Sequence, residues 1–203
     1  MPYLKKAELI EGVVYIPSPV RTDIHAEPHA QIMGWLAVYS AVTPGTRVAD
    51  NATVRLDPDN EVQPDALLRL EADLGGNSRL SENGYIEGTP DLIVEIAGSS
   101  VDYDLREKPG VYCRTGVREY VVWQTLDKRP DWFRLAESEY LSLTPDTDGT
   151  VHSEVFPGLR LAVPALLEGD LARGLSELQK GLETAEHAAF VSRCLEKRTG
   201  NAA

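Results

Sequence analysis

The strongest constraint on the fold of this chain is one short run, Asp91-Leu92-Ile93-Val94-Glu95-Ile96-Ala97, in which a carboxylate stands among apolar residues. Side chains alternate faces along a strand, so Leu92, Val94 and Ile96 share one face and Asp91, Ile93, Glu95 and Ala97 the other. The run reads as a buried strand. Burying an uncompensated carboxylate costs several kcal/mol, so Glu95 requires a cation partner wherever its face is covered.

Elements of alternating type surround this strand. Residues 8–16 read as strands with a turn at Glu11-Gly12, and residues 17–28 as a proline-punctuated loop. Ile32, Trp35, Leu36 and Tyr39 recur at helical spacing, which predicts an amphipathic helix over 29–42 that Pro44-Gly45 stops. Two β-rich segments, 47–56 and 62–70, are parted by Asp57-Pro58-Asp59-Asn60. Residues 71–89 contain Gly, Ser and Asn and read as a long loop, a mobile flap or a functional one. After Gly98-Ser99-Ser100 a helix is expected to run to a C-cap at Gly116, followed by a buried strand over 119–125. Residues 131–135 and 140–143 suit an antiparallel hairpin, and 159–163 an added edge. From Pro164 onward Leu167, Leu171, Leu175, Leu178, Leu182 and Ala185 mark one helical stripe. Gly169, Gly174 and Gly181 each weaken that helix by about 1 kcal/mol relative to Ala, so packing on the domain or on a partner subunit must hold it.

Composition narrows the class. The 203 residues are 42% hydrophobic, enough for one core with an appended element. No apolar stretch suits a membrane span or a secretory signal. Two cysteines, Cys113 and Cys194, cannot build a disulfide framework or a cysteine zinc site, so a reducing cytoplasm is expected. Cys113 reads as core rather than nucleophile. The net charge is −12, which argues against a surface coated by nucleic acid. Its distribution is uneven, because residues 101–135 carry 7 basic and 6 acidic side chains and are the only stretch that is not acidic.

The chemistry concentrates around Glu95. Pro64-Asp65 opens a neighbouring segment, and if the two strands pair, Asp65 and Glu95 converge on one point. Two carboxylates are the protein contribution that Mg²⁺ accepts, with water and phosphate oxygens completing its octahedron. Lys108 follows in a segment where Pro109 suits the first turn of a helix, and can offset charge on a phosphate. By spacing alone each also has a plain reading: Asp65 as a surface aspartate at the start of a strand, Glu95 as an edge charge, Lys108 as a solvated helix lysine. His25-Ala-Glu-Pro-His29 departs from the zinc-protease pattern, because its glutamate follows the wrong residue and Pro28 interrupts the helix. His29 itself reads as a helix N-terminal or packing residue. No glycine-rich phosphate loop, dinucleotide fingerprint or serine-nucleophile elbow is present.

Three segments together, Gly88-Thr-Pro-Asp-Leu-Ile-Val-Glu95-Ile-Ala-Gly-Ser-Ser100, Tyr103-Asp-Leu-Arg-Glu-Lys108-Pro-Gly-Val-Tyr112 and Gly116-Val-Arg-Glu-Tyr120-Val-Val-Trp123, resemble the Uma-type putative restriction endonuclease family of the PD-(D/E)XK nuclease superfamily. The resemblance extends to Val62-Gln-Pro-Asp65, His29 and Glu8-Leu-Ile-Glu-Gly12, over roughly residues 6–168. It implies an α/β (α+β) fold, a restriction-endonuclease-like mixed sheet flanked by helices over 1–168, with a C-terminal helical extension over 169–203. It also implies Asp65 and Glu95 as ligands of Mg²⁺ (or Mn²⁺), the main-chain carbonyl of Ile96 as a third, and Lys108 as the catalytic lysine. In most of the superfamily the lysine stands two residues after the glutamate, where this chain has Ala97, and the family moves it to the following helix. Glu8 matches a family glutamate with a metal-proximal or a structural role. Trp123-Gln124-Thr125 departs from the family's Val-Asp-Pro at a structural position, and the 71–89 loop could reshape the groove.

The function so implied is metal-dependent hydrolysis of DNA phosphodiesters by a metal-activated water. The alternative is a catalytically silent domain kept as a nucleic-acid-binding or assembly module. A homodimer is expected from the apolar stripe over 167–185 and from the frequency of two-fold assemblies.

Overall fold

The computed structural model describes residues 6–17, 19–98 and 103–200. The Ser99-Ser100 step that opens the expected helix lies outside them. Fourteen strands are present among the described residues: β1 (Glu8–Ile10), β2 (Val13–Tyr15), β3 (Thr46–Asp50), β4 (Val54–Asp57), β5 (Asn60–Val62), β6 (Ala66–Leu70), β7 (Asn77–Leu80), β8 (Ile86–Thr89), β9 (Leu92–Ala97), β10 (Glu119–Gln124), β11 (Arg129–Ala136), β12 (Glu139–Leu143), β13 (Thr150–His152) and β14 (Arg160–Ala162). Five α-helices accompany them: α1 (Glu27–Val42), α2 (Lys108–Thr115), α3 (Val163–Glu168), α4 (Leu171–Leu182) and α5 (Ala185–Gly200), with shorter helical turns at Thr22–Ala26, Ala72–Leu74 and Tyr103–Glu107. None is long and apolar enough to cross a membrane.

The central sheet runs β12-β11-β10-β9-β6-β3. Within it β9 and β10 are parallel and β6 is antiparallel to β9, so the expected buried run lies at its middle. All six residues of β9 are buried. One face, formed by Leu92, Val94, Ile96, Val121, Trp123, Ala66 and Leu68, packs on Ile32, Trp35, Leu36 and Tyr39 of α1. The other, formed by Ile93, Ala97, Leu67, Tyr120 and Val122, packs on Val111 and Tyr112 of α2 and on Ile10, Val54, Val62 and Ile86 of a second sheet. That sheet runs β2-β1-β5-β4-β8-β7.

Several expectations change. Segments 47–56 and 62–70 are each two strands, because the chain leaves the central sheet after β3, makes the β4–β5 hairpin in the second sheet and returns as β6. Asn51 with φ 47 makes the outward bend, and Pro64, which has no N–H for a ladder, stands at the return. Asp65 is thereby placed at the corner where the sheets meet. Residues 71–89 are not a loop: β7 and β8 form an antiparallel hairpin whose second strand runs parallel to β4. Ser81 to Gly84 makes its turn, the Gly84 N–H donating to the Ser81 carbonyl at 3.0 Å, with Gly84 at φ 79, a conformation glycine adopts without a Cβ clash.

The C-terminal stripe is likewise three helices. Gly169 at φ 71 ends α3 in the left-handed region, and the Asp170 side chain then caps α4 by accepting from the Arg173 N–H at 3.0 Å. Leu175, Leu178 and Leu182 pack into the same core as α1. These three leucines are therefore turned to the core, whereas Leu167 and Leu171 are half-buried and Ala185 is exposed, so the stripe is not one open apolar face. Residues 160–162 pair only with β13, as a separate two-stranded ribbon rather than an added edge.

Candidate active site

The antiparallel register pairs Ala66 with Val94 and Leu67 with Ile93. Continued by one residue, it sets Asp65 opposite Glu95. Side-chain alternation turns both toward the α2 face, the face of Leu67 and Ile93. The two carboxylates that a sequence reading can only suspect of converging thus stand across one strand pair, with Asp65 4% and Glu95 3% exposed.

Glu95 has the cation its burial demands. Lys108 at the first residue of α2 donates from Nζ to Glu95 Oε1 at 2.8 Å, and the Tyr112 hydroxyl one turn on donates to the same oxygen at 3.0 Å. Helical spacing of four residues brings this lysine and tyrosine to one side. Lys108 Nζ also lies 3.2 Å from Glu8 Oε2 and 3.3 Å from Asp104 Oδ1. It is 3% exposed, not a solvated helix lysine. Three carboxylates therefore share one ammonium. Burial disfavours the charged amine, but Glu95, Asp104 and Glu8 outweigh it and hold Lys108 well above the ordinary lysine range. Burial likewise pushes Glu95 above the ordinary carboxylate range; Lys108 opposes this, while Asp104, Asp65 and Glu8 add to it.

Asp65 is pushed the opposite way. Burial raises it, yet the His25 hydrogen bond, the Lys6 charge and the Ile96 N–H together lower it to about 2. Its Oδ2 accepts from the Ile96 N–H at 2.8 Å and meets His25 Nε2 at 3.2 Å, while Oδ1 lies 3.5 Å from Lys6 Nζ. Its main-chain carbonyl accepts from His29 Nε2 at 2.7 Å. His29 does open the first turns of α1, and there it holds the backbone of a candidate ligand. Glu8, on β1, accepts the Gln63 N–H at 2.8 Å through Oε1 while Oε2 faces Lys108, so it serves the fold and the site together.

Lys6, His25, Asp104 and Tyr112 were not legible as site residues. Two signals were available: His25 and His29 are four apart, as are Asp104 and Lys108, which places each pair on one side of a helical segment. Cys113 is half-buried and donates from Sγ to the Ser138 carbonyl at 3.1 Å. It is therefore not a core residue.

The donor set suits a hard divalent cation. Two carboxylates on one face offer oxygen only, and an ion of the magnesium type takes one or two carboxylates and keeps its waters. A ready-made cage of three or more His, Cys, Asp or Glu side chains is not found among the described residues, and such an ion does not need one.

A family model described as Uma2, Putative restriction endonuclease, matches residues 2–164. The fold is similar to the crystal structure of a protein described as a putative nuclease belonging to DUF820 from Anabaena variabilis. That similarity has a TM-score of 0.62 at 17% identity over 80% of this chain and 90% of the other. No curated protein matches the chain.

Proposed function

Because this chain belongs to the Uma2 family of putative restriction endonucleases, and has a restriction-endonuclease-like fold, we propose that it is a metal-dependent endonuclease that hydrolyses phosphodiester bonds in DNA. The observation that carries this reading is the placement of Asp65 opposite Glu95 on one face, with Lys108 Nζ 2.8 Å from Glu95. Asp65 and Glu95 would hold Mg²⁺ or Mn²⁺, with the Ile96 carbonyl beside them. When bound, such an ion lowers the pKa of a water and offsets charge on phosphate oxygens. The chain's own part is to bind and orient. Asp65 is kept ionised by its donors, and β6 and β9 fix its distance from Glu95. Lys108 is charged throughout the neutral range and would offset negative charge growing on a phosphate. Tyr112 fixes the Glu95 rotamer through its hydroxyl.

A second reading, a silent domain kept for binding or assembly, draws on two facts. Asp65, Glu95 and Lys108 are each at most 4% exposed. Among the described residues, arginines such as Arg114, Arg118, Arg129 and Arg134 already meet a carboxylate. Plasmid and oligonucleotide cleavage with Mg²⁺ or Mn²⁺ separates the two readings. Metal-dependent cleavage that disappears in Glu95→Ala is expected. Cleavage that survives unchanged in the variant, or none by either protein across substrates, would give the second reading precedence.

A further inference from the structure

We infer that His25 is a positioning residue that aims Asp65, and that Lys6 occupies the metal-facing oxygen of Asp65 as an exchangeable counter-ion. This rests on the metal site proposed above and assigns each oxygen of Asp65 a role. Oδ2 is engaged twice, by the Ile96 N–H at 2.8 Å and by His25 Nε2 at 3.2 Å. Oδ1 faces Lys6 at 3.5 Å, and the same ammonium donates to Asn51 Oδ1 at 3.2 Å. The carbonyl of Asp65 accepts from His29 Nε2 at 2.7 Å and from the Asn51 N–H at 3.2 Å. Backbone and Oδ2 are thus pinned, and Oδ1 is the atom left to coordinate.

The tautomer of His25 follows from its other nitrogen. Nδ1 is buried without a hydrogen-bond partner among the described residues. A proton on Nδ1 would be a buried donor with nothing to accept it, so the proton resides on Nε2, where it points at Asp65. His25 is therefore a donor to the ligand and not itself a ligand. Its backbone is fixed as well. The Ile24 carbonyl accepts from the Thr125 hydroxyl at 2.7 Å, and the Ile24 side chain lies over Gly98, where a Cβ would stand 2.9 Å from Ile24 Cδ1. Lys6 differs in kind. It precedes β1, its side chain is 27% exposed, and its contact with Asp65 is long, so it can leave Oδ1 without disturbing the sheet.

The test is Mn²⁺ binding to the full chain by calorimetry at fixed pH, without nucleic acid. His25→Ala is expected to weaken Mn²⁺ about 10- to 100-fold, the usual loss when an outer partner of a ligand is removed. His25→Gln, whose amide N–H replaces the Nε2 donor, should recover most of that loss. Lys6→Met should tighten Mn²⁺ several-fold, because the competing cation is gone. Wild-type affinity in His25→Ala, no recovery in His25→Gln, or weaker binding in Lys6→Met would overturn the assignment. Asp65→Asn is the control for the underlying site. If wild type takes up no Mn²⁺, or Asp65→Asn binds as wild type does, the metal site itself fails. If only the His25 and Lys6 variants disagree, the positioning role alone fails. Should His25→Ala unfold, His25→Gln and Lys6→Met still decide.

Discussion

Glu95 and Glu119 are buried glutamates on the adjacent strands β9 and β10, and they face opposite sides of the sheet with different company. Glu119 is wholly buried on the α1 face and meets donors without charge. Its Oε1 accepts the N–H groups of Glu154 and Val155 at 2.7 and 3.2 Å, and its Oε2 the Ser153 hydroxyl at 2.8 Å. Its hydrogen bonds tie residues 153–155 to the sheet. Glu95 has a cation, and that cation is shared with Glu8 and Asp104 while Asp65 stands opposite. A buried carboxylate is therefore no sign of a site by itself. What marks the α2 face is an excess of acids gathered in low dielectric, an arrangement that destabilises the fold and is explicable by a cation to be bound.

The largest test of this contrast is Lys108→Met. It leaves Glu8, Glu95 and Asp104 without their common ammonium, and breaking a buried pair from one side costs about 3–5 kcal/mol. Urea unfolding of the metal-free protein should show a loss of that order. A change under about 1 kcal/mol would mean that the acids do not depend on this lysine, and the distinction between the two faces would collapse.

Next in size is Glu119→Ala, which frees two backbone N–H groups and one hydroxyl. Each hydrogen bond to a charged group is worth about 1.5–3 kcal/mol, but removing a carboxylate whose burial is itself unfavourable offsets most of their sum, so a net loss of about 2–3 kcal/mol is expected, with Mn²⁺ affinity unchanged. Its pH dependence sharpens the point. Burial raises Glu119 from 4.5 to about 7, partly offset by the Ser153, Glu154 and Val155 donors. A folded-state pKa above the unfolded one contributes stability that is present below about 4.5 and lost as pH rises through about 7. Unfolding measured across that window should decline in wild type and flatten in Glu119→Gln. An unaltered slope in the variant would assign the decline elsewhere.

The contrast also explains what could be read in the chain beforehand. Periodicity identified α1, β9, β10 and the β11–β12 hairpin, because each buries a regular face. Alternation placed Glu95 away from Val94 and Ile96. Where the chain changed sheets, periodicity was silent: nothing in Arg47 to Leu56 announces that its two halves belong to different layers. The β7–β8 hairpin was missed because Gly, Ser and Asn were weighed as loop composition while Asn83-Gly84 went unused as a turn signal. Asp65, Glu95 and Lys108 were legible as a set through family resemblance. The contacts of His25 and Lys6 with Asp65 were not, because they span about 40 and about 59 residues of chain, and spacing does not report such a distance.

The smallest expected change in stability belongs to Glu95→Gln, and it is the most informative for that reason. The amide keeps the shape of the side chain, its carbonyl can still accept from Tyr112, and Lys108 keeps Glu8 and Asp104. One buried negative charge is also removed from a crowded group, in which burial and the neighbouring acids already disfavour ionisation. Stability of the metal-free protein should therefore stay within about 1 kcal/mol of wild type, while Mn²⁺ binding falls by more than about tenfold, because a neutral amide oxygen replaces a ligand of the proposed cation. Glu119→Gln should do the reverse, altering stability and its pH profile and leaving Mn²⁺ alone. If both variants moved stability and neither moved Mn²⁺, the two glutamates would be equivalent structural acids. The proposed chemistry would then have to leave the α2 face.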